Sequence, residues 1–235
     1  MKYTDQDHEN WNALFTKVMQ ALPEIAHEKV ISGIKTIGFP SDQVPNINAI
    51  NTKLKAFTDW QLVLLDEMVD DNQFISMLAH KQYPCRSWLR SHSQIELDEN
   101  EYDLFHDLVG HTSLLNMPEY CKYLQALGEL AFKNIHNTTA LLYLKRMYWH
   151  TIQYGLIISG SSMKIYGAHL LTSRNETLFA LSAGVPKYDF NVAVIMNTPY
   201  VKNKFQERYF VIDSFDQLFN SIPEIEKELA KISVA

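Results

Sequence analysis

The chain has 235 residues, 46% hydrophobic and 20% charged, with a formal net charge of -6 at pH 7. That length supports a substantial core in one large domain or two small ones, and the acidic balance argues against nucleic acid, whose binding needs concentrated positive charge. No apolar run approaches the ~20 residues of a membrane span. The first seven residues lack the apolar core of a secretory signal, and Cys85 and Cys121 have no metal-like spacing and are too few for a disulfide framework, so a reduced, cytoplasmic protein is expected.

Trp11, Leu14, Phe15, Val18, Met19 and Leu22 recur at helical spacing and read as an amphipathic helix, with a break expected near Pro23. A second helix is expected from Glu24 to about Ile37, stopped by Gly38 and Pro40. Pro45 opens a short helical stretch through Asn51, Leu54 and Phe57. Trp60 to Leu65 reads as a strand or an extended segment, between which periodicity does not decide. Asp70 or Asp71 caps a helix over Phe74, Ile75, Met77 and Leu78, closed by Tyr83-Pro84 because the residue before proline leaves the helical region. Cys85 to Leu97 reads as extended, with Arg90 in its middle, and the acidic stretch from Glu96 to Asp103 leads into a helix carrying two histidines.

Leu114 to about Asn134 is expected to be helical. After Asn137-Thr138-Thr139 a long, aromatic-rich helix is expected from Ala140 to Ile158, buried on most faces. Met163 to Tyr166 reads as a strand, Leu178 to Leu181 as helix and Tyr209 to Ile212 as β, and Ser214 caps a helix over Leu218 and Phe219. With no repeat, low-complexity tract or linker, residues 1–235 form a single compact domain, mainly α with a small β component.

The stretch from Glu101 to His111 holds the residues with the most chemistry. His106 and His111 lie five apart, with Asp107 beside the first and Gly110 before the second. Imidazole suits iron, zinc or copper, and a third ligand must come from elsewhere in the chain. The spacing is wider than an i, i+4 pair, which places one histidine at a helix end, with Gly110 letting the backbone turn. On spacing alone, two structural histidines remain the more frequent outcome.

Several further blocks stand in order along the chain. They are Tyr83-Pro84 through Leu89-Arg90, the His106 to His111 core, Tyr148-Trp149-His150-Thr151-Ile152-Gln153-Tyr154-Gly155-Leu156, Ile165-Tyr166-Gly167-Ala168, and Tyr209 through Phe215. Together they resemble the catalytic domain of the pterin-dependent aromatic amino acid hydroxylases, in its stand-alone bacterial form, over nearly the whole chain. The resemblance implies a monomer without the regulatory domain and tetramerisation helix of the animal enzymes. It also implies an iron(II) and tetrahydropterin monooxygenase that uses O2 to hydroxylate an aromatic amino acid or related aromatic acid.

By position, His106 and His111 match the two histidine ligands of a 2-His-1-carboxylate site. Phe74 matches the ring that stacks on the pterin, with Val69, Asp70 and Asp71 on the loop beside it. Asp107 matches an acidic residue near the pterin, and Tyr148 lines that side. Arg90 matches the arginine that pairs with the substrate carboxylate, a task for its planar fork. Trp149 matches a wall of the substrate pocket.

The sequence departs from the family pattern around this site. The third ligand, a glutamate in the family, is Gln153, which offers an amide oxygen without negative charge. Tyr102 replaces a proline, Tyr154 a phenylalanine, His169 a glycine and Glu67 the glycine of the pterin loop. Thr172-Ser173 replaces a Ser-Ser pair, and Arg174-Asn175 stands where the family has Lys-Gly or Phe-Gly before Glu176. Tyr102, Tyr154 and His169 suggest a smaller or more polar pocket than phenylalanine needs, and Thr172 is a further position expected on the substrate side. His169 reads as a pocket histidine bonded to Asp98, Glu99 or water rather than a replacement ligand, and His150 as a packing or capping residue. The alternative is a non-catalytic or repurposed relative that binds a small aromatic or pterin. A metal hydrolase of the His-Asp phosphohydrolase type is set aside, because its further histidines and distant aspartate are not found in register.

Overall fold

Thr4 opens helix α1 (Asp5–Ile25) with a capping box, accepting from the Asp7 N–H while the Asp7 carboxylate accepts from the Thr4 N–H. The expected apolar stripe is buried at Trp11, Leu14, Phe15 and Leu22. Trp11 meets Phe105 edge-on, 5.3 Å between ring centres, which fixes the segment just before the histidines. Pro23 does not break the helix: it sits in the last turn, where it removes one intrahelical bond. The second helix starts later than expected, as α2 (Glu28–Ile37), because Ala26 is drawn into an extended bridge with Ile165 and His27 then caps the helix. It ends at Gly38, whose φ of 70° suits glycine.

The computed structural model describes residues 3–67, 69–97, 102–202 and 204–232. After α3 (Ile47–Phe57), the Trp60 to Leu65 segment resolves as strand β1 (Gln61–Leu65). Asp70 caps α4 (Asp71–Ala79) by accepting from the Gln73 N–H at 2.8 Å. That helix ends before Tyr83-Pro84, which instead lie in β2 (Gln82–Arg86), parallel to β1. The two-stranded sheet tolerates Pro84 because each strand is an edge. The run from Cys85 to Leu97 is not extended throughout. It contains the short α5 (His92–Glu96), opened by a capping box at Ser91.

His106–His111 forms a π turn, followed by α6 (Pro118–Lys133) and α7 (Thr138–Tyr148). The long helix expected to reach Ile158 stops at a second π turn, Trp149–Gln153. Leu156-Ile157-Ile158 suits a pleated strand better than a helix. It pairs as β3 (Leu156–Ser159) with β4 (Ser162–Ile165), antiparallel, through Gly160 at φ 61°. The remaining elements are α8 (Ala168–Thr172), α9 (Arg174–Leu181), β5 (Lys187–Asp189), α10 (Val192–Asn197), β6 (Tyr209–Ile212), α11 (Phe215–Asn220) and α12 (Ile222–Ile232). The second sheet runs β4-β3-β6-β5, with β6 parallel to both β3 and β5. The fold is mainly α with a small β component, built on one continuous core that runs from Trp11 in α1 to Leu229 in α12.

Candidate active site

The two histidines are the first and last residues of a π turn, so His111 closes that turn as expected, with the tight turn Thr112–Leu114 following it. A backbone bond spanning five residues, from the Thr112 N–H to the Asp107 carbonyl, widens the turn. Residues five apart then fall on one face, so the i, i+5 spacing that fits poorly on an α-helix is right for this turn. Gly110 supplies no backbone turn. A Cβ there would lie 2.8 Å from the Ala168 carbonyl oxygen, so its lack of a side chain lets α8 press against the histidines. The second π turn does the same for Gln153, with Tyr154 N–H bonded to the Trp149 carbonyl at 3.1 Å.

These turns bring three side chains to one point. His106 Nε2 and His111 Nε2 are 3.2 Å apart, and Gln153 Nε2 is 3.2 Å from His111 Nε2. All three residues are buried. Burial holds both imidazoles well below the ordinary histidine range, reinforced by the His169 ring and the Arg86 cation beside them, so both are neutral and able to act as ligands. The Thr172 hydroxyl donates to the Ala168 carbonyl at 3.0 Å and lies 3.0 Å from His106 Nδ1. It must therefore accept from Nδ1–H, which leaves the His106 Nε2 lone pair facing His111. Among the described residues Gln153 Oε1 is buried without a hydrogen-bond partner. Turning the amide over exchanges its nitrogen and oxygen and completes a convergent N, N, O set. Facing lone pairs and an unpartnered buried oxygen suit a cation between them, so the residues present fit a divalent metal.

Asp107 also lies within reach of the pair, but its carboxylate is already engaged. Arg86 Nη1 donates to its two oxygens at 2.8 and 3.1 Å, and the Arg86 backbone N–H adds a third bond at 2.8 Å. Burial pushes the Asp107 carboxyl up to about 7 against the pull of this cation. Gln153 is the better third donor.

A cavity of about 470 Å³ opens beside the convergent point. Of the residues expected around a pterin, Val69, Asp71, Phe74 and Tyr148 line it, as does Glu67. Phe74 and Tyr148 meet at right angles, 5.6 Å between centres. Asp70 is used as the α4 cap, and Asp107 lies behind Arg86. Asp71 pairs with Lys145 across the cavity rim.

Of the residues expected around a substrate, Tyr102 and Trp149 border the cavity, while Tyr154, His169 and Thr172 are buried behind it. Trp149 stacks on Tyr154 and Tyr200, at 5.2 and 4.4 Å, and donates from Nε1 to Gln206 Oε1 at 3.0 Å. Arg90 is buried, with Nε and Nη2 on the two oxygens of Asp103 at 2.8 and 3.0 Å. His169 is packed among rings, and burial lowers it to about 4. Asp98 and Glu99, expected beside it, lie outside the described residues. His150 is a packing residue, 3.2 Å from the Thr198 carbonyl and edge-on to Phe210.

Sequence reasoning missed Arg86, Tyr83 and Tyr200. The Tyr83 ring lies 4.6 Å from that of His111, tilted by 31°, and Arg86 lies over the Tyr102 ring at 5.7 Å. Only the apposition of β2 to the first π turn reveals Arg86. Its nearest sequence signal is a cation at the end of an otherwise apolar strand.

The profile of the biopterin-dependent aromatic amino acid hydroxylases matches residues 1–234. The chain is 38% identical to phenylalanine-4-hydroxylase of Chromobacterium violaceum over 94% of this chain and 74% of that protein. It is 37% identical to phenylalanine-4-hydroxylase of Ralstonia nicotianae over 94% of this chain and 70% of that protein. The crystal structure of the Chromobacterium violaceum enzyme bound to cobalt superposes with a TM-score of 0.90 at 37% identity, covering 97% of this chain and 83% of that one.

Proposed function

Because the chain belongs to the biopterin-dependent aromatic amino acid hydroxylase family, we propose that it is an iron- and tetrahydropterin-dependent monooxygenase acting on an aromatic amino acid or a related aromatic acid. The observation that carries this reading is the convergence of His106 Nε2, His111 Nε2 and the Gln153 amide, with Gln153 on the wall of a ring-lined cavity. Iron(II) held by these three residues, with a tetrahydropterin, supplies the chemistry of O2 that side chains lack. Phe74 and Tyr148 offer the flat surfaces on which a pterin ring stacks, and Val69 and Asp71 border it. Thr172 holds His106 in the tautomer that leaves Nε2 open.

On the substrate side, Trp149, Tyr102, Tyr154 and His169 set the shape of the wall. Arg90 is oriented by Asp103 and keeps an α-carboxylate as the expected anchor. The histidines remain neutral across physiological pH, so metal loading needs no proton release from an imidazolium. Two buried free cysteines and a net charge of -6 support the accompanying expectation of a reduced cytoplasmic monomer that binds neither nucleic acid nor membrane. Among the described residues no helix is long and apolar enough to cross a membrane.

A second reading, a relative that binds a small aromatic or pterin without turnover, is favoured by the neutral Gln153 where a carboxylate would balance the cation. Anaerobic iron(II) titration of the metal-free protein, with Gln153→Glu alongside, separates the two. One tightly held iron in the natural chain, followed by hydroxylated product from a panel of aromatic acids, supports the monooxygenase. Tight iron in Gln153→Glu alone supports the second reading.

A further inference from the structure

We propose that Tyr102 is an internal competitor for the aromatic-ring site beside His106, so that the chain's own phenol ring governs which free aromatic compounds reach the metal-binding residues. This rests on the reading above for one point only, that the histidine pair acts on an aromatic ring.

The histidine pair is flanked on two sides. On the His111 side stand Tyr83 and Tyr148, at 4.6 and 6.3 Å between ring centres, and beyond them the open cavity. On the His106 side the space is filled by the chain itself. The Tyr102 ring stands edge-on to His106 at 4.8 Å and lies 5.3 Å from His169, which in turn lies 4.8 Å from Tyr154. The Arg86 guanidinium covers the Tyr102 ring at 5.7 Å.

The separation from His106 is that of a bound aromatic ring, since ring pairs settle at about 4.5–7 Å between centres. Any compound that makes this contact on the His106 side must take the place of Tyr102. His169 and Tyr154 are 7% and 3% exposed and form the back wall, whereas Tyr102 alone of the three borders the open cavity. It is therefore the ring that an incoming compound meets first. The measured affinity of a free aromatic is then its intrinsic affinity reduced by the fraction of molecules in which Tyr102 has left the site.

Phenol and L-phenylalanine are the probes. Calorimetric titration of the metal-free protein is expected to give binding about tenfold tighter or more in Tyr102→Ala than in the natural chain, with His169→Gly also tighter. Equal affinities in variants that melt like the natural chain overturn the proposal. If the variants do not fold, ring-proton contacts in the natural chain decide. Phenol contacts to His106 that appear while the Tyr102–His106 contacts persist overturn it. Phenol contacts that appear only as those of Tyr102 vanish, or no phenol contacts at His106 at all, support it. No metal, pterin or O2 enters these titrations, so failure to hold iron(II) sinks the monooxygenase reading and leaves this result standing. Tight iron with an unchanged Tyr102→Ala affinity sinks the ring competitor alone.

Discussion

Gln153 turns its amide nitrogen to His111 Nε2 at 3.2 Å, while its carbonyl oxygen is buried without a partner among the described residues. The side chain thus sits at a ligand's position with no negative charge to bring to it. Gln153→Glu is expected to change the protein in opposite directions with and without metal. A carboxylate confined there is costly when no cation is present, so the metal-free variant melts below the natural chain. With iron(II) or cobalt(II) added, the charge favours binding by about tenfold or more, which is about 1.4 kcal/mol, and the melting order reverses as metal binds the folded state only. Thermal melts of both proteins across a metal series check this. A variant that melts lower at every metal concentration refutes it.

Thr172 reaches the same centre through His106. Its hydroxyl donates to the Ala168 carbonyl and accepts from His106 Nδ1, so Thr172→Val keeps the shape and removes the orientation. Metal affinity is expected to fall about 10- to 100-fold, the usual cost of losing such a partner. Thr172→Ser should restore most of it. Cobalt titration followed by its visible absorption distinguishes this from general unfolding, because Thr172→Val should alter the band shape of the bound metal as well as its affinity.

Arg86 and Asp107 form an ion pair beside the histidines, with the arginine 19% exposed and the aspartate fully buried. Removing only the cation takes away the main pull that lowers the buried Asp107 carboxyl, which must then stay charged without Arg86 or take up a proton. The arginine's three hydrogen bonds are disturbed either way. Arg86→Met is expected to cost about 3–5 kcal/mol. Removing the charge on both sides, in Arg86→Met with Asp107→Asn, should cost less than Arg86→Met alone, because the desolvated charge goes with it. Urea unfolding of the two variants gives the comparison, and a double variant weaker than the single one contradicts it.

The parts of this structure that the sequence made legible are those set by local rules. The α1 stripe, the Asp70 cap, the Gly38 stop and the Ser214 cap all follow from residue type and period, and each stands where expected. What escaped depends on distant contacts. α2 starts at Glu28 rather than Glu24 because Ala26 bridges to Ile165, nearly 140 residues on. The π turns are invisible to a 3.6-residue period, so the i, i+5 spacing pointed to a helix end, where His111 does stand, but not to the wider turn that puts both histidines on one face. The histidine pair stood out by its own spacing and the ring and amide positions by family resemblance, whereas the contacts of Arg86 and Tyr83 show themselves only where β2 lies against the π turn. The placement of Arg90 against Asp103 likewise has no signature in a spacing of thirteen residues.

His150 offers a test in which acid acts on the fold rather than on the metal centre. Burial lowers it from 6.5 to about 4, opposed by the Thr198 and Pro199 carbonyls and aided by Arg208 and Arg146. Its folded value lies below its unfolded one, so the unfolded chain takes up the proton first as pH falls. The stability it contributes is present above 6.5, is lost as pH falls from 6.5 toward 4, and changes no further below that. The full loss is about 3 kcal/mol at 1.36 kcal/mol per unit. His169, also at about 4 and likewise lowered by burial, adds a slope of the same sign. Carboxylates titrate in part of this window too, so the informative quantity is a difference. His150→Gln keeps a donor toward the Thr198 carbonyl and removes the titration. Urea midpoints of the natural chain should drop more steeply between pH 6.5 and 4 than those of His150→Gln, and parallel curves would show that His150 already carries its proton in the folded protein.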